Sequence, residues 1–220
     1  MVATLCLAAF DLPSRCASGV ILRYIAPRVE PVSLFGAFAR RPMFGLAAPH
    51  SDLIVGVGHG GPNEYRGQDS SLIWRAGEYD TKEVNGKVVK LVSCQAGEQL
   101  GMDLVDRGGA RCFMGYSDDI VWLADPEFVT HPWDDEDAKL TLTPVVDGLN
   151  ALLDGRTCKE SFEVECTGFY DNAERTSEFP LMQEMLRFNY KSAILHGDPN
   201  ATVARRPRIY LPMPPPPLVF

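Results

Sequence analysis

Short apolar runs that break at glycine or proline alternate along this chain with segments whose apolar residues recur every three or four positions. The first run, Val2 to Phe10, reads as a buried strand. Ser14 to Ile25 lies between Pro13 and Pro27, with Ser14 placed to cap it, which predicts a helix. A short strand is expected over Val32 to Phe35, then a helix over Phe38 to Ala48 disturbed by Pro42 and Gly45. Asp52 to Val57 is a buried strand that breaks into Gly58-His59-Gly60-Gly61-Pro62. The Asn85-Gly86 dipeptide predicts a turn, with Tyr79 to Val84 pairing as a hairpin against the run after it.

That run, Lys87 to Ser93, is a further buried strand and ends in Cys94-Gln95-Ala96-Gly97. Leu100, Leu104 and Val105 then fall at helical spacing, with Glu98 near the start, Arg107 near the end and Gly108-Gly109 as the stop. Charge placement and stop signal together predict a helix from about Gly97 to Arg107. Arg111 to Tyr116 reads as a strand. Helices are expected over Leu140 to Leu153, over Cys158 to Ala173 with Phe162, Cys166, Phe169 and Tyr170 on one side, and through Leu181 to Tyr190. Ser192 to Leu195 is a last short strand, breaking at His196-Gly197-Asp198-Pro199. Strands alternating with helices predict an α/β domain, with a mostly parallel central sheet and helices on both faces. One domain is expected over residues 1–210, with the proline-rich 211–220 as an extended tail.

Composition narrows the class. Apolar residues make up 45% and charged ones 23% of 220 residues, which excludes wholesale disorder, a fibre or a coiled coil. The net charge of -8 argues against nucleic acid and anionic membranes as partners. No apolar run approaches the ~20 residues of a membrane-spanning helix. Val2 to Phe10 has the length of a secretory apolar core, yet no basic residue precedes it and Asp11 follows at once. Six cysteines, none in a C-x-x-C pair, read as reduced and mostly buried thiols, so a cytoplasmic location is expected.

Two strand ends carry reactive side chains: His59 and Cys94. If their strands are parallel neighbours, both side chains emerge on one edge, where open α/β sheets place their chemistry. Cys94 is expected at a helix N-terminus, whose partial positive charge favours the thiolate and whose amides can stabilise an oxyanion. His59 stands between glycines, so its ring is not walled in, and the Gly60 N–H can point towards a carbonyl oxygen. A thiol, an imidazole and two backbone donors suffice for acyl transfer.

An apolar strand ending in Gly58-His59-Gly60-Gly61, then Lys90 to Gly97 (KLVSCQAG), resembles the caspase–gingipain superfamily of cysteine peptidases, most of all the gingipain-type domain. Gly109 to Gly115 and the late Gly197-Asp198-Pro199 resemble that domain's next strand and closing turn, so the likeness runs from about residue 50 to residue 200. It implies a caspase-like three-layer sandwich with about six strands. It also implies a His59–Cys94 dyad acting as a cysteine endopeptidase on a protein or peptide substrate. The oxyanion hole would be formed by the N–H groups of Gly60 and Cys94, without a cofactor and without a required third residue. Some basic-specific relatives place an acidic residue two positions before the nucleophile, where this chain has Val92. The caspase order Gln-Ala-Cys is also absent, because Gln95 and Ala96 follow the cysteine, so neither arginine nor aspartate specificity carries over.

Beyond the dyad, Asp118, Asp119 and Trp122 follow a strand on the same edge and are expected substrate-binding residues for a basic side chain. Glu64, Tyr65, Arg66, Gln68 and Trp74 are expected as a lid or cleft wall. Asp134-Asp135-Glu136-Asp137 could take the calcium that some relatives need, but it lacks the alternation and central glycine of an EF-hand, which favours surface solvation or a helix N-terminus. Two other functions compete. One is a catalytically inactive caspase-like module for assembly; the other is a glutamine amidotransferase-like amidase, whose Gly-x-Cys-x-Gly elbow this chain lacks. Oligomeric state and substrate identity stay open.

Overall fold

The computed structural model describes residues 1–203. Its central sheet has six strands: β1 (Val2–Leu7), β2 (Glu30–Phe35), β3 (Leu53–Val57), β7 (Val88–Val92), β8 (Cys112–Tyr116) and β9 (Ala193–Gly197). Three further strands, β4 (His59–Gly61), β5 (Glu64–Arg66) and β6 (Leu72–Arg75), form a small antiparallel sheet. The central order is β2-β1-β3-β7-β8-β9, parallel except for β9, which runs against β8. The helices are α1 (Leu12–Tyr24), α2 (Arg41–Ala47), α3 (Gln99–Asp106), α4 (Glu136–Leu153), α5 (Cys158–Arg175) and α6 (Pro180–Ser192). This is the mixed α/β, three-layer arrangement expected from the alternation of elements.

The period of two along each strand makes the layers. Ala3, Leu5 and Leu7, Leu53, Val55 and Val57, and Cys112 and Met114 face one core with α1, α4, α5 and α6. Cys6, Ile54, Val89, Leu91 and Phe113 face the other, under α2, α3 and the small sheet. Both faces are covered, so the central strands read as continuous apolar runs. Among the described residues, no helix is long and apolar enough to cross a membrane. The proline-rich stretch 211–220 lies outside the described residues.

Several local expectations shift, each for a physical reason. Asp11, not Ser14, caps α1: its side chain accepts from the Ser14 N–H at 2.9 Å, while the Ser14 hydroxyl faces the Asp11 N–H to complete a capping box. Helix α4 starts a turn earlier than Leu140 because Asp135 accepts from the Asp137 and Ala138 N–H groups. Its interior Pro144 lacks an N–H, and the Leu140 carbonyl so orphaned takes a 2.7 Å bond from Asn172 Nδ2 instead.

The expected hairpin at Asn85-Gly86 does not form. Thr81–Glu83 is a turn of 3-10 helix capped by Asp80, which sends Glu83 inward to Trp74 Nε1 (2.7 Å) and Arg41 (2.7 Å). Strand β7 pairs with β3 and β8 instead, burying both its faces. The buried stripe of α5 is also rotated from the expected one. Ser161, Glu165, Phe169 and Asn172 face inward, and Tyr170 is exposed. The cause is Lys90, in the middle of β7 and buried: its ammonium needs an anion, and Glu165 supplies both carboxylate oxygens at 2.7 Å.

Candidate active site

Three parallel neighbours, β1, β3 and β7, end in register at one edge: Leu7 lies opposite Val57, and Val57 opposite Val92. Each chain then continues a few residues beyond the sheet, delivering Asp11, His59 and Cys94 to the same place. Two ladder bonds carry the alignment past the strand ends, Ala8 N–H to the Val57 carbonyl and Gly58 N–H to the Val92 carbonyl. His59 and Cys94 both line one cavity of about 230 Å³ at this edge.

Glycine makes the close approach feasible. A Cβ at Gly60 would sit 2.3 Å from Ser93 Oγ and 2.5 Å from the Cys94 carbonyl oxygen, so the histidine strand lies directly on the cysteine turn. A Cβ at Gly58 would meet the Arg66 carbonyl oxygen at 2.1 Å. The two residues Pro62 and Asn63 join β4 to β5, making Gly61 and Glu64 the closing hydrogen-bonded pair. By the antiparallel alternation, the Gly60 N–H then points away from β5. The Cys94 N–H takes no backbone acceptor among the described residues.

The expected helix N-terminus at Cys94 is not there. Residues 94–98 form turns, Gln95 adopts the left-handed region at φ 57°, and α3 begins only at Gln99. The first amides of α3, from Gln99 and Leu100, both reach the Pro62 carbonyl at 2.9 Å, so they brace the histidine hairpin instead of the sulfur. Burial pushes the Cys94 thiol above its ordinary value, and the Asp119 carboxylate beside it adds to the rise. Cys94 Sγ lies 4.0 Å from the Ile120 carbonyl oxygen.

The sequence reading missed Asp11. Its Oδ2 lies 2.5 Å from His59 Nε2, so Nδ1 is the ring nitrogen this carboxylate leaves unengaged, and Phe10 packs on the imidazole with centroids 5.3 Å apart. A carboxylate just past the first strand was visible as a signal, but only the strand order places β1 beside β3. Burial pushes the Asp11 carboxyl up, yet bonds from Ser14 and His59 outweigh it, and the net shift is below the usual 3.8. A carboxyl lowered on folding contributes stability that is complete above its unfolded pKa and lost as pH falls through the folded value. The difference in urea midpoint between wild type and Asp11→Asn should therefore be larger at pH 6 than at pH 3. An equal difference at both would show that the Asp11 charge is not what His59 and Ser14 hold.

The remaining candidates separate. Trp122 lines the cavity; Asp118 is exposed and Asp119 meets Gln95 Nε2 at 3.2 Å, and neither aspartate lines it. The Gln95 N–H is fixed on the Asp118 carbonyl and the Gly97 N–H on that of Tyr116, while His196 Nε2 approaches the Gly97 carbonyl at 2.7 Å. Tyr65 and Trp74 are fully buried under the small sheet, so they form no lid. Gln68 Oε1 accepts from the Ala9 N–H, tying the small sheet to the site edge. In the acidic run, both oxygens of Asp135 are engaged by backbone N–H groups, and Glu136 pairs with Lys139. Among the described residues, no group of three or more His, Cys, Asp and Glu is arranged to hold a metal ion.

No protein-family model matches the chain, and no curated protein matches it. Among solved structures, it is similar to the complex of Porphyromonas gingivalis RgpB pro- and mature domains. The TM-score is 0.53 over 92% of this chain and 48% of that one, at 10% sequence identity. The chain thus spans about half the length of that relative. At this identity the likeness is one of fold, and the fold is gingipain-like.

Proposed function

We propose that the chain is a cysteine endopeptidase that cleaves peptide bonds through Cys94 and His59. Its suggested role is limited processing of itself or of a partner protein. The observation that carries this reading is the meeting of both side chains on one cavity at the shared edge of β3 and β7. A gingipain-like fold supports it, and the cavity's size, about 230 Å³, suits admission of one side chain.

In this reading the resting thiol is neutral, consistent with its raised pKa, and His59 Nδ1 takes its proton as Sγ adds to the scissile carbonyl carbon. A C–S bond forms and the carbonyl π pair moves to oxygen, where the Gly60 and Cys94 N–H groups donate to it. Collapse breaks the C–N bond, and His59 returns its proton to the leaving nitrogen. Water then adds to the thioester carbonyl as His59 accepts a proton from it. The C–S bond breaks, and that proton restores the thiol. Asp11 orients the ring and offsets the charge on the imidazolium, so the pair works as a triad rather than a bare dyad.

Covalent labelling tests the proposal. Cys6 and Cys16 are buried with thiols pushed up to about 12, and Cys166, half-buried, is also pushed up to about 12 by burial and then by Glu165. A peptidyl acyloxymethyl ketone followed by mass mapping should therefore modify Cys94 first, and His59→Ala should slow that reaction. With plain iodoacetamide, the Cys94 rate should keep climbing from pH 7 to pH 9, as a raised thiol pKa requires. Peptidyl labelling no faster at Cys94 than at Cys166 would favour the inactive assembly module instead.

A further inference from the structure

Resting on the peptidase reading, we infer that the cavity beside Cys94 takes an uncharged apolar side chain, of the leucine, methionine or phenylalanine class, from the residue that contributes the scissile carbonyl. Apart from His59, Cys94, Ser14 and the backbone of Gly58, the walls are apolar: Pro13 from the start of α1, Val57 and Val92 from the ends of β3 and β7, and Ile120, Val121 and Trp122 from the loop after β8. Among the described residues, no Asp, Glu, Lys or Arg lines the space. An arginine or lysine side chain entering it would lose its water with no carboxylate on the lining to meet it, whereas an apolar one gains by leaving water.

The loop that closes the cavity is held in place rather than adaptable. The fully buried Asn189 accepts from the Val121 N–H at 2.9 Å and donates to the Val121 carbonyl at 2.6 Å. Thr141 Oγ1 donates to the same carbonyl at 3.3 Å. Trp122 packs against the core on the α1 side. The nearby carboxylates stay out of the space. Asp119 is held at the rim by Gln95 Nε2 and by the Ser192 hydroxyl on its carbonyl (3.4 Å), and Asp118 faces solvent. The acidic pocket for a basic side chain, expected from loop position, thus gives way to an apolar one: the loop turns Ile120, Val121 and Trp122 inward.

Fluorogenic peptides that differ only in the residue before the scissile bond (Leu, Phe, Gly, Arg, Lys, Asp) provide the test, with wild type, Cys94→Ala and Val121→Asp. For wild type, kcat/KM for Leu or Phe should exceed that for Arg, Lys and Asp by about tenfold or more, the scale at which apolar pockets discriminate. Val121→Asp should move the Arg-to-Leu ratio towards Arg by about tenfold. Charged peptides cleaved as fast as apolar ones by wild type, and not by Cys94→Ala, would overturn the inference while leaving the peptidase reading intact. An unchanged ratio in a folded Val121→Asp would overturn it too. No turnover of any peptide, together with no labelling of Cys94 by the matching chloromethyl ketones, would remove the peptidase reading and the inference with it.

Discussion

His59→Ala is expected to lower peptide kcat/KM by roughly three orders of magnitude while lowering the unfolding midpoint no more than Asp11→Asn does. In the proposed mechanism the imidazole handles a proton in each half of the reaction, and positioned acid–base groups contribute about 10²–10⁴. Its side chain is 45% exposed, so truncation opens no cavity in either core. What it does remove is the partner of Asp11, and the loss should appear in kcat more than in KM, because the ring assists bonds that change only at the transition state. Asp11→Asn should give a smaller loss with the same split, since it acts through the ring. A His59→Ala enzyme within tenfold of wild type would show that the thiol reacts without this base.

Glu165→Ala is expected to destabilise the fold by about 3–5 kcal/mol, through a residue nowhere near the dyad. Lys90, Glu165 and Tyr116 form a closed polar cluster in the core between β7, β8 and α5. Lys90 and Glu165 are 1% and 2% exposed, and the Tyr116 hydroxyl, fully buried, donates to the same carboxylate. Deleting the carboxylate strands an ammonium and a phenol away from water, which is where the cost arises. Removing both charges together, as Lys90→Met with Glu165→Leu, should recover most of the loss, because apolar pairs of similar volume replace buried ion pairs at little cost. Urea unfolding followed by circular dichroism would measure both. A single variant losing under about 1 kcal/mol, or a double variant worse than the single, would contradict a strongly coupled pair.

Much of this fold is legible along the chain, because the central strands are buried on both faces. Asp52 to Val57 and Lys87 to Ser93 read as unbroken apolar runs, and the structure places β3 and β7 there within a residue or two. The helices with clear spacing, α1, α3, α4, α5 and α6, appear where expected, with ends moved by capping side chains such as Asp11 and Asp135. The small sheet was not legible. Its strands are three or four residues long, too short for alternation to register, and its stability comes from Tyr65 and Trp74 packing inward. The hairpin failed because Asn85-Gly86 signals a turn but not what pairs across it. The face of α5 failed because hydrophobicity alone treats Glu165 as a surface residue, and its anion is required by a lysine 75 positions earlier.

The order of residues by itself determined the strand–turn positions of His59 and Cys94, the glycines that let their backbones touch, and the alternation that makes a covered parallel sheet. These depend on local periodicity and steric size, which neighbours along the chain already express. Only the tertiary structure decided that β1 lies beside β3, and hence that Asp11 reaches His59. It alone decided that α3 begins too late to charge the cysteine turn, and that the loop after β8 turns Val121 and Trp122 inward rather than Asp118. Those outcomes come from pairing and packing between segments far apart in sequence, where burial, desolvation and partner geometry compete and no local pattern records the winner.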